Sequence, residues 1–176
     1  MAIMATANQK DWDLGPDGLH QAVCCDVVDL GIINTTLYGP KHMVQLRWQI
    51  DAIEPTTGKP YLILARYTLS IHKKAMLCQR LESWRGKQFT DEERKGFDLE
   101  RLIGINCQLQ IVHVTKGDAT YANVQAIVPV LKGLQLLTVE KSYIRVKDRV
   151  QEPATTGGWG PRAAEQKEEE DDDLPF

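Results

Sequence analysis

Between His42 and Ile53 the chain alternates with a period of two. Val44, Leu46, Trp48 and Ile50 fall on one face, and Gln45, Arg47 and Gln49 on the other. Successive side chains of a strand point to opposite faces, so this run predicts a strand with one face in a core and the other toward solvent. Tyr61–Ile71 alternates again, with Tyr67, Leu69 and Ile71 opposed by Arg66, Thr68 and Ser70. Pro55–Pro60, which contains Gly58, supplies the hairpin turn between the two runs. By phase Trp48 and Tyr67 belong to the core, although their flat rings would also suit stacking on a base.

The flanking sequence extends this β pattern. Leu19–Leu30 is rich in β-branched and small apolar residues and predicts a first strand ended by Gly31. Gly31–Lys41, with Asn34, Gly39 and Pro40, predicts a loop. The period then changes: His72–Arg85 sets Ala75, Met76, Gln79 and Leu81 among good helix formers, with Gly86 as a stop. Thr90-Asp91-Glu92-Glu93 has the capping-box pattern of a second short helix, and Asp98–Ile103 predicts another helical turn ending at Gly104. Cys107–Thr115 and Thr120–Val130 are expected strands joined by the hairpin signal Lys116-Gly117-Asp118. Residues 134–150 are assigned to a further strand.

Residues 1–17 form a polar lead-in containing Trp12. From residue 151 onward Pro153, Gly157, Gly158, Gly160 and Pro161 precede a charge run, a composition that cannot bury a core and is expected to be disordered. The expected division is therefore a lead-in (1–17), one domain (18–150) and an acidic tail (151–176). Three strands, a helical insert and two more strands is the order of the OB-fold, a five-stranded, partly open barrel of mainly β class.

Charge divides the chain at the same point. Residues 1–150 hold 19 Lys and Arg against 16 Asp and Glu, whereas residues 151–176 hold 2 against 8, so a mildly basic body carries a strongly acidic tail. A basic body attracts phosphate, and a mobile acidic tail can compete for the same surface. Neither the cysteines (Cys24, Cys25, Cys78, Cys107) nor the histidines (His20, His42, His72, His113) show ligand spacing. The thiols are expected to be reduced and to act as small apolar residues. There is no carboxylate set spaced for two metals, no phosphate-cradling glycine loop with a lysine and no Ser/His/Asp set. Asp26, Asp29, Asp51 and Glu54 come nearest to a metal site and read as ordinary strand and turn residues. No catalytic residue, metal or cofactor is expected. Met1-Ala2-Ile3-Met4 is too short for a targeting region, and no apolar stretch approaches the ~20 residues of a membrane span. The expected location is cytoplasmic, with no membrane partner.

The chain closes on Asp171-Asp172-Asp173-Leu174-Pro175-Phe176. Pro175 biases Leu174 toward an extended conformation, which lowers the ordering cost on binding. Phe176 offers a ring for a pocket and a carboxylate for a basic group, while the aspartates steer the peptide toward a positive surface. This tip resembles that of bacterial single-stranded DNA-binding proteins. Arg66-Tyr67-Thr68-Leu69-Ser70, His72-Lys73-Lys74, Glu82-Ser83-Trp84-Arg85-Gly86, Phe89-Thr90 and Tyr121-Ala122-Asn123-Val124 are similar to a phage-encoded group of these proteins. The similarity covers roughly residues 18–133 and the tip.

The resemblance implies a sequence-nonspecific protein that protects single-stranded DNA during replication, recombination and repair, in the bacterial host's cytoplasm if phage-encoded. Through its tip it would recruit partners such as a polymerase, primase, helicase or exonuclease. A strand-annealing protein or recombination mediator is the alternative. The helical insert is longer than in the bacterial housekeeping version, so that protein's tetramer is not carried over and the homo-oligomeric state stays open.

A sequence-tolerant binder needs a positive groove and flat side chains for stacking. OB-folds place that groove over strands two and three, between the first loop and the loop joining strands four and five. The DNA-binding candidates are accordingly Gln45 and Arg47 on strand two, Arg66 and Thr68 on strand three, and Lys73 and Lys74 just beyond it. Tyr38 and Lys41 join them from the first loop, and Lys116 and Tyr121 from the last hairpin. Trp84 is expected to be a packing residue.

Overall fold

The computed structural model describes residues 14–149. The expected tail, its tip and the greater part of the lead-in, with Trp12 and Trp159, lie outside the described residues.

Five antiparallel strands build the molecule: β1 (Gly18–Thr35), β2 (Gly39–Ile53), β3 (Pro60–Thr68), β4 (Asn106–Lys116) and β5 (Ala119–Val128). Their order across the sheet is β3-β2-β1-β4-β5. β1 pairs with β2 along most of its length and with β4 through Gly18–Val23. The sheet thereby curls until β3 and β5 lie against each other across a seam without a ladder. This is the partly open OB-fold barrel, with the helical insert between β3 and β4 as expected.

The insert consists of α1 (Met76–Arg85), α2 (Asp91–Lys95) and a 3-10 turn at Leu99–Leu102. α1 begins four residues later than the sequence suggests and stops at Gly86, whose φ of 70° gives the left-handed cap that glycine tolerates. The capping box is present, Thr90 Oγ1 accepting from the Glu93 amide and the Glu93 carboxylate accepting from the Thr90 amide. α1 packs on β5 and β3, and its Leu77, Leu81 and Trp84 join Leu46, Trp48, Ile50, Leu109, Ile111 and Ile127 in the core. Trp48 and Trp84 meet at 6.1 Å between ring centroids, and Tyr67 is buried too. Trp48 and Tyr67 are therefore core residues. Trp84 packs as expected, and its indole N–H donates to the Asn106 carbonyl. All four cysteines are free and buried, and burial pushes the Cys24 and Cys107 thiols up from their ordinary value.

Two expectations fail. The first strand does not end at Gly31, nor is Gly31–Lys41 a loop: β1 and β2 form a long hairpin arm whose connection is only residues 36–38. Gly31 sits instead at a register shift, with φ of 69° and its amide donating to Asp29 Oδ1. A glycine at positive φ lets a strand absorb an extra residue and continue. A second shift, between Cys24 and Asp26, inserts Cys25 and reverses the alternation. Cys24 pairs with core Trp48, but Asp26 pairs with Arg47 on the outer face and Val27 turns toward the core.

The second failed expectation is the strand over residues 134–150. No ladder forms there. Residues 134–149 run as an extended strap over the outside of the barrel and end in a short 3-10 turn at Val146–Asp148. Side chains of the sheet satisfy the strap's polar backbone groups, which removes the need for a strand partner.

Among the described residues no helix is long and apolar enough to cross a membrane.

Candidate nucleic-acid interface

The outer side of β2 and β3 is set by register. Met43 pairs with Thr68, Gln45 with Arg66, Arg47 with Leu64 and Gln49 with Leu62. Directly opposed residues share a face, so Gln45, Arg47, Arg66 and Thr68 lie together, as the alternation predicts. Arg66 is exposed. Lys41 lies near the start of β2, close to the arm's tip and paired with Ile33, its ammonium 4.4 Å from the ring centroid of Tyr38, which is 44% exposed at the tip. That separation is within cation–π range and holds the ring beside a positive charge. Lys73 and Lys74 are exposed on the turn between β3 and α1. Lys116 and Tyr121 belong to the separate β4–β5 hairpin. There Ala122 and Val124 pack against the core, and Tyr121, out of phase with them, is half-buried.

The outer face of β2 is not bare, and here the sequence expectation needs correction. Gln45 is 3% exposed and Gln49 is 6% exposed. Arg47 is half-buried, with Nε and Nη2 donating to Gln45 Oε1 at 2.9 and 2.7 Å. At Gln49 the strap is the reason. Its Glu140 amide donates to Gln49 Oε1 at 2.8 Å, and Gln21 Nε2 donates to the Gln135 carbonyl at 2.8 Å. Asn106 and Leu137 exchange two bonds, each 2.8 Å: the Leu137 amide donates to Asn106 Oδ1, and Asn106 Nδ2 donates to the Leu137 carbonyl.

Asp26 is the deepest anchor, at 1% exposure. It accepts from Arg145 Nε at 3.0 Å, the Val146 amide at 2.8 Å, the Tyr143 hydroxyl at 3.2 Å and its neighbour's amide, Val27, at 2.9 Å. Arg145 also forks onto Glu100, with Nη1 and Nη2 at 2.7 and 2.8 Å from its oxygens. Those bonds hold the Glu100 carboxyl below its ordinary value and raise the guanidinium's. Burial first, and then the nearby Cys25 and Asp26, push the Tyr143 phenol up to about 12.

The sequence reading missed this latch. Its signal was Asp26 itself: a carboxylate inside the apolar run Val23-Cys24-Cys25-Asp26-Val27-Val28 demands a buried donor set. Lys141-Ser142-Tyr143-Ile144-Arg145 was the basic, aromatic stretch able to supply one.

Along β3 the outer face stays open. Leu62 and Arg66 are exposed and Leu64 is half-buried, leaving a shallow track of apolar and cationic side chains between the strap and the arm. A cavity of about 330 Å³ lies elsewhere, near the end of α1, lined by Trp84, Arg85, Phe97, Arg101, Leu102 and Ile105 among others. Among the described residues no group of three or more His, Cys, Asp and Glu is disposed to hold a metal ion. The chain matches no family model, and no curated protein matches it.

Proposed function

We propose that this protein binds single-stranded DNA without sequence preference and protects it during replication, recombination and repair. The observation that carries the reading is the outer face of β2–β3. Arg66 is exposed opposite Gln45, Leu62 and Leu64 run beside it, and the Tyr38–Lys41 pair stands on the arm at its end. Such a surface offers phosphates cations at Arg66 and Lys41, and offers bases an aromatic plane at Tyr38 and apolar contact at Leu62 and Leu64, without a hydrogen-bond pattern that would select one base. Stacking contributes ~1–3 kcal/mol per base. About five phosphate contacts would give a log–log salt slope near −3.5, at ~0.7 per contact.

The acidic tip, Asp171–Phe176, would recruit replication and recombination partners once DNA occupies the groove. It bears a charge opposite to that of the body and ends in Leu174-Pro175-Phe176.

The test is fluorescence anisotropy of a labelled single-stranded oligonucleotide at several salt concentrations, with duplex of the same sequence as competitor. Tight, salt-sensitive binding that duplex fails to displace supports the reading. An absence of binding at low salt, also with residues 171–176 deleted, refutes it.

A further inference from the structure

A strap that covers half of a candidate groove is either a lid that DNA must lift or a wall that DNA lies against. We propose that residues 140–149 are a wall, and that Lys141, Lys147 and Arg149 on its outer side contribute phosphate contacts to the bound single strand. The proposal rests on the single-strand-binding reading above and extends its surface to a segment outside the barrel strands.

The two sides of the strap have different jobs. Toward the sheet it turns Tyr143, Arg145 and Val146, which meet Asp26 and Glu100, while the amide of Glu140 meets Gln49. Toward solvent it turns Lys141, Ser142, Ile144, Lys147, Asp148 and Arg149, all exposed, so three cations there face one carboxylate. Residues 131–149 carry five Lys and Arg against two carboxylates. One of the two, Glu140, is occupied by the hydroxyl and amide of Ser142. Arg145 is consumed by Asp26 and Glu100, and Lys147 reaches Glu100 only at 3.7 Å, where Arg145 already holds both oxygens. The remaining cations stand above the polar face that the strap hides, so covering the sheet replaces one set of polar groups by a more positive one.

Position links this surface to the open track. Glu140 sits on Gln49, whose cross-strand partner is Leu62 of β3, and Tyr143 and Arg145 sit on Asp26, the partner of Arg47. The strap therefore ends its coverage one strand short of Arg66. A strand of nucleic acid following β3 would have Arg66 beneath it and Lys141, next to Glu140 over Gln49 of β2, at its side, with Lys147 and Arg149 set back where the strap returns over β1 to Asp26 and Glu100.

Anchoring argues for a wall over a lid. Lifting the strap would break three of the four bonds to Asp26, the fork from Arg145 to Glu100 and the bond to Gln49 together, and water would have to replace every one of them.

The experiment compares the full chain with a Lys141→Ala, Lys147→Ala, Arg149→Ala variant, titrating labelled oligo-dT across a range of NaCl. We expect the salt slope to become shallower by about 2, from ~0.7 per lost contact, affinity at low salt to fall at least tenfold, and the urea midpoint to hold. A second variant, Lys141→Glu with Arg149→Glu, touches neither Asp26 nor Glu100 and should weaken binding further. Unchanged slope and affinity in both variants, with the unmodified chain binding normally, would overturn the wall while leaving the single-strand reading intact. Failure of the unmodified chain to bind would overturn both. Amide exchange separates wall from lid. The Val146 amide, bonded to Asp26, should keep its protection when oligo-dT is bound, and its loss would overturn the proposal.

Discussion

The outer face of this barrel is two surfaces made from one kind of sequence. Over β4, β1 and β2 the outward residues Asn106, Asp26, Gln45 and Gln49 are buried, and all but Gln45 bond to the strap. One strand away, on β3, Leu62 and Arg66 remain in solvent. Alternation treats both alike, because period two reports only that a residue leaves the core side of its own sheet. What the outward residue then meets depends on a segment 31 to 120 residues away in sequence. The covered half is tied to the strap by these bonds, and the open half faces solvent.

This contrast can be broken most severely at Asp26. Asp26→Ala leaves Arg145, Tyr143 and the Val146 amide without their acceptor, and removing one partner of a buried ion pair costs ~3–5 kcal/mol. Urea denaturation should show a loss of that size. A change under 1 kcal/mol would mean that the strap contributes little and that both halves are equally open.

The complementary substitution is Arg66→Ala. On the open half it should weaken single-stranded DNA binding about tenfold at low salt, ~1.4 kcal/mol. The salt slope should become shallower by ~0.7, with stability unchanged within ~0.5 kcal/mol. The reverse pattern, stability lost and affinity kept, would exchange the roles of the two halves.

Thr90→Ala serves as a control away from both. It removes the capping box of α2 and should cost ~1 kcal/mol of stability, with DNA affinity unaltered. A loss of affinity would draw the helical insert into the binding surface.

The smallest effect is expected in acid. The fork from Arg145, and secondarily the charge of that guanidinium, keeps the Glu100 carboxyl below its ordinary 4.5. Bonds from Arg85 and then from the Thr90 amide bring Glu93 to about 2. A carboxyl depressed in the folded state adds stability that is complete above its ordinary value and is lost as pH falls through the folded value. The urea midpoint should therefore decline as pH drops from about 5 toward about 2, more shallowly in Glu100→Gln. Equal pH dependence in Glu100→Gln and the unmodified chain would show that Glu100 does not couple the strap to the barrel.

Much of this architecture was legible in the residues. Val44-Gln45-Leu46-Arg47-Trp48 gave β2 its faces, Gly86 ended α1, Thr90 and Glu93 marked α2, and Gly117-Asp118 closed the last hairpin. Each of these signals is local, and local sterics and hydrogen bonds settle it. The misses were not local. Gly31 looked like a terminator because a glycine in a strand pattern either ends it or forms a bulge, and only pairing with Met43 decides between them. Cys25 gave no sign of being an inserted residue. Residues 134–150 resembled a strand because β-branched and apolar residues suit an extended strap as well as a ladder. Of the binding candidates, Arg66, Thr68, Lys41 and Tyr38 share one side of the β2–β3 region as read from the sequence. Gln45 and Arg47 share it too, but under cover.

The most direct test of the division is backbone amide NMR of the full chain titrated with oligo-dT. Shift changes are expected at residues 38–42, 66–68 and around Lys141 and Lys147, and little change at residues 134–137 or in α2. Changes centred on Trp84, Phe97 and Ile105, with the β3 face silent, would contradict that division.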